Sequence, residues 1–171
     1  MADLITGTFR DRVFAERAVA DLQQLGYTQN DISVMMNDQT RAWDFAAETG
    51  SKAAEGAGVG AGIGGTLGAI VAALTATGSV AAVAATGGLA APLVAGPLVA
   101  VLAGAGAGGL GGGLVGAGIP KDRAVAYETD LNAGNILVGV HASAANAAEV
   151  QRVLMSEGAI DAQGQAGVRA L

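Results

Sequence analysis

The sequence predicts an α+β fold: a split βαβ, ferredoxin-like domain interrupted by a long Gly/Ala-rich helical hairpin. Three observations predict it. A β-α-β pattern occurs at each end of the chain. The two copies align at an offset of 132 residues, which sets Gly7 on Gly139, Leu22 on Leu154 and Gly26 on Gly158. Between them, residues 56–120 contain no Asp, Glu, Lys, Arg, His, Asn or Gln, and hold 20 of the 28 glycines. The expected organisation is a first βαβ half over 1–50, a glycine-zipper helical hairpin over 51–120, and a connecting helix with the second half over 121–171.

In the first half, Leu4-Ile5-Thr6-Gly7-Thr8-Phe9 is short and β-rich, and reads as a strand. Asp11 is placed to cap a helix, on which Phe14, Ala18, Leu22 and Leu25 recur at helical spacing. Gly26 falls where a left-handed C-cap is wanted, since it has no Cβ to clash. Ile32-Ser33-Val34-Met35 then alternates like a half-buried strand. Asp31, Asp38 and Asp44 read as turn and cap residues. Trp43 and Phe45 precede the insert, and fit either an aromatic anchor at a membrane surface or packing where the hairpin leaves the sheet.

In the insert, glycine recurs every fourth residue at Gly56, Gly60, Gly64 and Gly68, and again at Gly104, Gly108, Gly112 and Gly116. That period lays each set along one helix face. Glycine in a helix costs roughly 0.5–1 kcal/mol against alanine, so close backbone approach between helices must offset it. These eight glycines are the predicted self-association residues. The expected arms are 51–78 and 93–118, broken between by Gly87-Gly88 and Pro92. Each arm would extend about 39 Å, enough to cross a hydrocarbon core of about 30 Å. Insertion into the cytoplasmic membrane and burial of the hairpins between subunits of a homo-oligomer both hide the same apolar surface. Arg41, Lys52, Lys121 and Arg123 flank the open end, which suits termini on the cytoplasmic side.

In the second half, a short helix over 121–133 carries Tyr127 and Leu131, expected to pack at the hairpin junction. Ile136-Leu137-Val138-Gly139-Val140-His141 is a strand, Ser143 a candidate N-cap, and Ala147, Val150 and Leu154 a helical stripe ended by Gly158. A last strand is expected within 159–169. The four-stranded sheet would bury one face under two helices.

The absence of cysteine excludes disulfides and zinc–thiolate sites. A net charge of −6 without a long basic patch argues against nucleic acid as a partner. The first residues lack the charged and apolar regions of a secretory signal, so a cytoplasmic location, or the cytoplasmic face of the inner membrane, is expected. Gly60 to Gly65, and windows starting at Gly104 and Gly106, match G-x-G-x-x-G, but such matches arise by chance in a glycine-rich tract with no strand before them. His141, the single histidine, has no cysteine or second histidine to share a metal with. Asp161 stands isolated. No catalytic constellation, cofactor site or metal site is expected.

The order of elements resembles the bacterial general stress protein 17M-like family, also called the YflT-type or low-temperature-induced protein family. Carrying the resemblance are Gly7-x-Phe9, Ala15-Glu16-Arg17-Ala18, Leu22 to Gly26-Tyr27 and Asp31-Ile32-Ser33-Val34. Also matching are Glu48-Thr49-Gly50-Ser51-Lys52-Ala53-Ala54-Glu55-Gly56, Gly118-Ile119-Pro120, Tyr127 and Gly134-Asn135-Ile136-Leu137-Val138-x-Val140-His141-Ala142. The resemblance implies a stress-associated bacterial protein and brings no enzyme activity. The expected function is therefore non-enzymatic self-association through the hairpin, inserted in or attached to the cytoplasmic membrane; the alternative is a soluble homo-oligomer with the hairpins buried between subunits. A regulatory module binding a small ligand on the sheet is the other class, and an enzyme using His141 ranks last.

Overall fold

The computed structural model describes residues 2–37, 80–82, 93–95, 98, 109–116 and 118–164. Helices and strands are mixed, with antiparallel strands. The elements run β1 (Ala2–Phe9), α1 (Arg12–Gln24), β2 (Ile32–Met36), β3 (Val80–Ala82), β4 (Leu93–Ala95), α2 (Gly109–Gly116), α3 (Lys121–Asn132), β5 (Ile136–Ser143), α4 (Ala147–Ser156) and β6 (Asp161–Gly164).

The sheet order is β3-β4-β2-β5-β1-β6, antiparallel throughout. β5 lies at the centre. It pairs with β1 from Ala2↔Ser143 to Phe9↔Ile136, and with β2 from Ile32↔Val140 to Met35↔Leu137. All four strands expected in the two βαβ halves are present. Two strands come from the insert and correct the expected hairpin. Leu93–Ala95 is not the start of a helical arm over 93–118 but a strand on the outer side of β2, and Val80–Ala82 pairs with it in turn. The physical reason is the hydrogen-bonding edge that β2 presents, which an adjacent run of small and β-branched residues satisfies. Pro92 immediately precedes this strand, a position where its missing N–H does no harm. The later part of that arm is helical at α2; the arm over 51–78 lies outside the described residues.

The helix ends follow one rule. Among the described residues, each of the four helices closes on a glycine with φ near +90°, at Gly26, Gly118, Gly134 and Gly158. At α1 the Gly26 and Tyr27 amides reach back to the Gln23 and Leu22 carbonyls; at α4 Gly158 and Ala159 do the same to Met155 and Leu154. These are Schellman closures, which need a left-handed residue and so a glycine. The helix starts differ from expectation. Asp11 occupies the N-cap of α1 without a side-chain bond, and Asn146 occupies the N-cap of α4, with Ser143 instead ending β5. The stripe on α1 is also rotated: Ala15, Ala18, Val19 and Leu22 are buried, while Phe14 and Leu25 are exposed. The alanines let the helix approach the sheet, and Phe14 comes to lie near Gly158 instead.

The sheet has two buried faces, not one. α1 and α4 cover the first, over Ile5, Phe9, Ile32, Val34, Val138 and Val140. α2, α3 and Leu98 cover the second, in a cluster of Leu4, Met35 and Leu137 with Leu114, Ile119, Ala124, Tyr127 and Leu131.

Candidate functional site

Of the predicted self-association residues, Gly56, Gly60, Gly64, Gly68, Gly104 and Gly108 lie outside the described residues. Gly112 and Gly116 lie on α2, one turn apart and exposed. A Cβ built on either would meet nothing within 4 Å. Val115, between them on the same side, is 42% exposed. The opposite side of α2 buries Leu114 against α3. An eight-residue helix without a polar side chain is thus fixed by one face and leaves a face of glycine and valine uncovered.

Beneath α3 lies a polar chain that the sequence does not announce. The Thr6 and Tyr127 hydroxyls bond at 2.7 Å, both groups being buried. The Arg123 guanidinium donates to the Tyr127 oxygen, and also to Asp161 Oδ2 at 2.7 Å. The guanidinium carbon stands 5.2 Å from the Tyr127 ring centroid, within cation–π range. Burial holds the Tyr127 phenol above its ordinary pKa, against the lowering pull of Thr6 and Arg123. Asp161 is therefore not isolated: its partner is 38 positions away in sequence and reaches it from the first turn of α3. Further along, Asn37 Nδ2 donates to the Leu131 carbonyl at 2.8 Å, and the Leu98 amide donates to Ser33 Oγ at 3.2 Å.

Tyr127 and Leu131 pack against Leu114 and Ile119, so they sit where the insert rejoins the domain. His141 faces the same side of the sheet, paired with Leu4 in β1; its backbone amide donates to the Asp31 carbonyl at 2.9 Å. Asp31 is the turn residue expected: its carboxylate accepts from the Thr28 hydroxyl at 2.6 Å and the Thr28 amide at 2.9 Å. Those bonds, with a smaller contribution from His141, hold its pKa below the usual carboxylate range. Asp38, Trp43, Asp44, Phe45 and most of the glycine windows fall outside the described residues.

Among the described residues no group of His, Cys, Asp and Glu is arranged to hold a metal ion. Among them, too, no helix is long and apolar enough to cross a membrane. The described residues offer packing and hydrogen bonding: a bare helix face on the outside of α2 and a polar chain beneath α3. Comparison with protein-family models, with curated proteins and with solved structures finds no match to this chain.

Proposed function

We propose that the protein is a non-enzymatic bacterial stress protein that assembles with copies of itself through its glycine-rich segment. The observation that carries this reading is the outward face of α2, where Gly112, Val115 and Gly116 leave bare helix backbone at the surface. Such a face suits the close approach of a second helix, with dispersion and Cα–H···O contacts offsetting the glycine cost. The scaffold is a split βαβ, ferredoxin-like domain. Supporting this are the antiparallel order β2-β5-β1-β6 of the strands in the two βαβ halves and the placement of α1 and α4 on one face.

Of the two ways to hide the apolar insert, burial between subunits fits better than a pair of membrane-crossing helices. β4 and Leu98 are held at the sheet, and α2 is held by α3. The residues 99–108 between these anchors would extend about 15 Å as a helix, half of a hydrocarbon core. The test is fractionation without detergent, followed by sizing. The expected result is a discrete particle of several subunits that Gly108→Leu and Gly112→Leu break into smaller species. Protein that sediments with membranes, resists carbonate and yields to detergent would replace this reading with lipid insertion. An unchanged particle in both variants would remove the glycine face as the contact.

A further inference from the structure

The two faces of the sheet are built from different chemistry. Under α1 and α4 the side chains are apolar without interruption along β2 and β5, from Ile32, Val34 and Met36 to Ile136, Val138 and Val140. On the other face, which α2, α3 and Leu98 cover, Leu4, Met35 and Leu137 alternate with Thr6, Thr8, Ser33, Gly139 and His141. The threonine, serine and histidine side chains of this face can hydrogen-bond to water when it is bared.

Two of them gain nothing from being covered. Thr8 is fully buried, yet its Oγ1 has no hydrogen-bond partner among the described residues, and the same holds for the buried His141 Nδ1. A buried polar atom left unpaired costs free energy that water would restore. On this face the closed arrangement therefore carries a cost that opening would relieve; on the other, among the described residues, only the Tyr27 hydroxyl at the margin of the core is left unpaired. What opposes opening is a set of polar bonds spaced along α3: Arg123 to Asp161 in the first turn, Tyr127 to Thr6 in the middle, and the Leu131 carbonyl to Asn37 in the last.

We infer that α2 and α3 form a releasable cover, which lifts from the sheet while the core under α1 and α4 stays folded. Gly118 closes α2 and leads into α3, and the two helices share one apolar cluster, so they move as a unit. Lifting bares the sheet-facing side of α3, Tyr127 and Leu131 included, together with Leu4, Met35 and Leu137 of the sheet. Release then regulates assembly, a coupling that rests on the self-association proposed above; the release itself does not rest on it.

The test is native-state hydrogen exchange on the full chain, comparing α3 amides with those of β5. In the wild type α3 exchanges at least tenfold faster than β5. Thr8→Val, which removes the unpaired hydroxyl at nearly constant volume, slows α3 exchange roughly tenfold. Val150→Ala, in the other core, speeds β5 exchange and leaves α3 unchanged, because the lifted state keeps that core. A common exchange rate for α3 and β5, or equal acceleration of both by Val150→Ala, overturns the cover. Sizing of the same proteins decides the coupling: Thr8→Val shifts the population to smaller species. A particle indifferent to Thr8→Val overturns the regulation alone. Absence of any particle overturns self-association and the coupling together, while the exchange data still decide the release.

Discussion

Leu98 rests against the bare backbone of Gly139, so closely that a Cβ on the glycine would lie 3.2 Å from the leucine Cδ1. The contact joins the insert to the central strand, and Leu4 Cδ1 would stand 3.4 Å from the same Cβ. Gly139→Ala is expected to cost about 1 kcal/mol, as overpacking does at its mild end. Leu98→Ala is expected to cost about 2–5 kcal/mol through lost packing and the cavity left. The double variant should cost less than the sum, by about 0.5–1 kcal/mol, because the methyl of the alanine enters space the leucine vacates. Denaturant midpoints of the four proteins give the coupling; strict additivity would mean the two residues do not touch.

Tyr127 sets the alkaline limit. Burial holds its phenol above the ordinary value, so the folded state keeps this proton at a pH where the unfolded chain loses it. Its contribution is complete below about pH 10 and is lost as pH rises through the folded-state value. Tyr127→Phe should flatten that decline above about pH 10. At neutral pH it should cost about 1–2 kcal/mol, since the Thr6 hydroxyl loses its buried partner. A stability–pH curve for each protein checks both statements.

Asp31 acts at the other end of the scale. The Thr28 hydroxyl and amide favour its charged form, so its contribution is present above the unfolded carboxylate value of about 3.9 and fades as pH falls through the lower folded-state value. The site is largely open to solvent, which keeps the effect small. Thr28→Val should move the Asp31 carboxyl titration, followed by NMR, back towards the ordinary range. An unmoved titration would show that the hydroxyl is not its main stabiliser.

Gly112 and Gly116 allow stability and assembly to be separated. Nothing lies within 4 Å of a Cβ at either site, so alanine fits the isolated chain and should stabilise α2 by about 0.5–1 kcal/mol per site. The same methyl groups should weaken assembly, because they hold an approaching helix away. Thermal melts and sizing of Gly112→Ala and Gly116→Ala read the two effects. Higher stability with undiminished assembly would place the contact elsewhere.

The sequence foretold those parts of the fold that leave local signatures. β1, β2, β5, α1 and α4 announce themselves through periodicity, and Gly26 and Gly158 stop their helices where expected. β3 and β4 leave no such mark, because Val80–Ala82 and Leu93–Ala95 share the composition of the tract around them. They become strands only because β2 has an edge to satisfy. The second buried face was illegible for a different reason. Thr6, Thr8 and Ser33 alternate with apolar residues as a solvent-facing side would, and only contact with Tyr127 and Leu98 shows them covered. The internal repeat also misleads in one respect. Gly7 and Gly139 align, yet Gly7 faces Leu154 and Gly139 faces Leu98, on opposite sides of the sheet. The Arg123–Asp161 pair has no local signal at all, since its members meet only through the fold.

The position of β5 bears on how the chain is made. β1 has two neighbours, β5 and β6, and both come from the last third of the sequence. On a ribosome adding about 5–20 residues each second, β1 and α1 emerge several seconds before any strand that can pair with β1. The charge-free tract emerges in that interval, ahead of the sheet face that will receive part of it. Nascent chains on neighbouring ribosomes therefore meet tract to tract before either has a core. The protein should depend on chaperone capture during synthesis more than its finished size suggests.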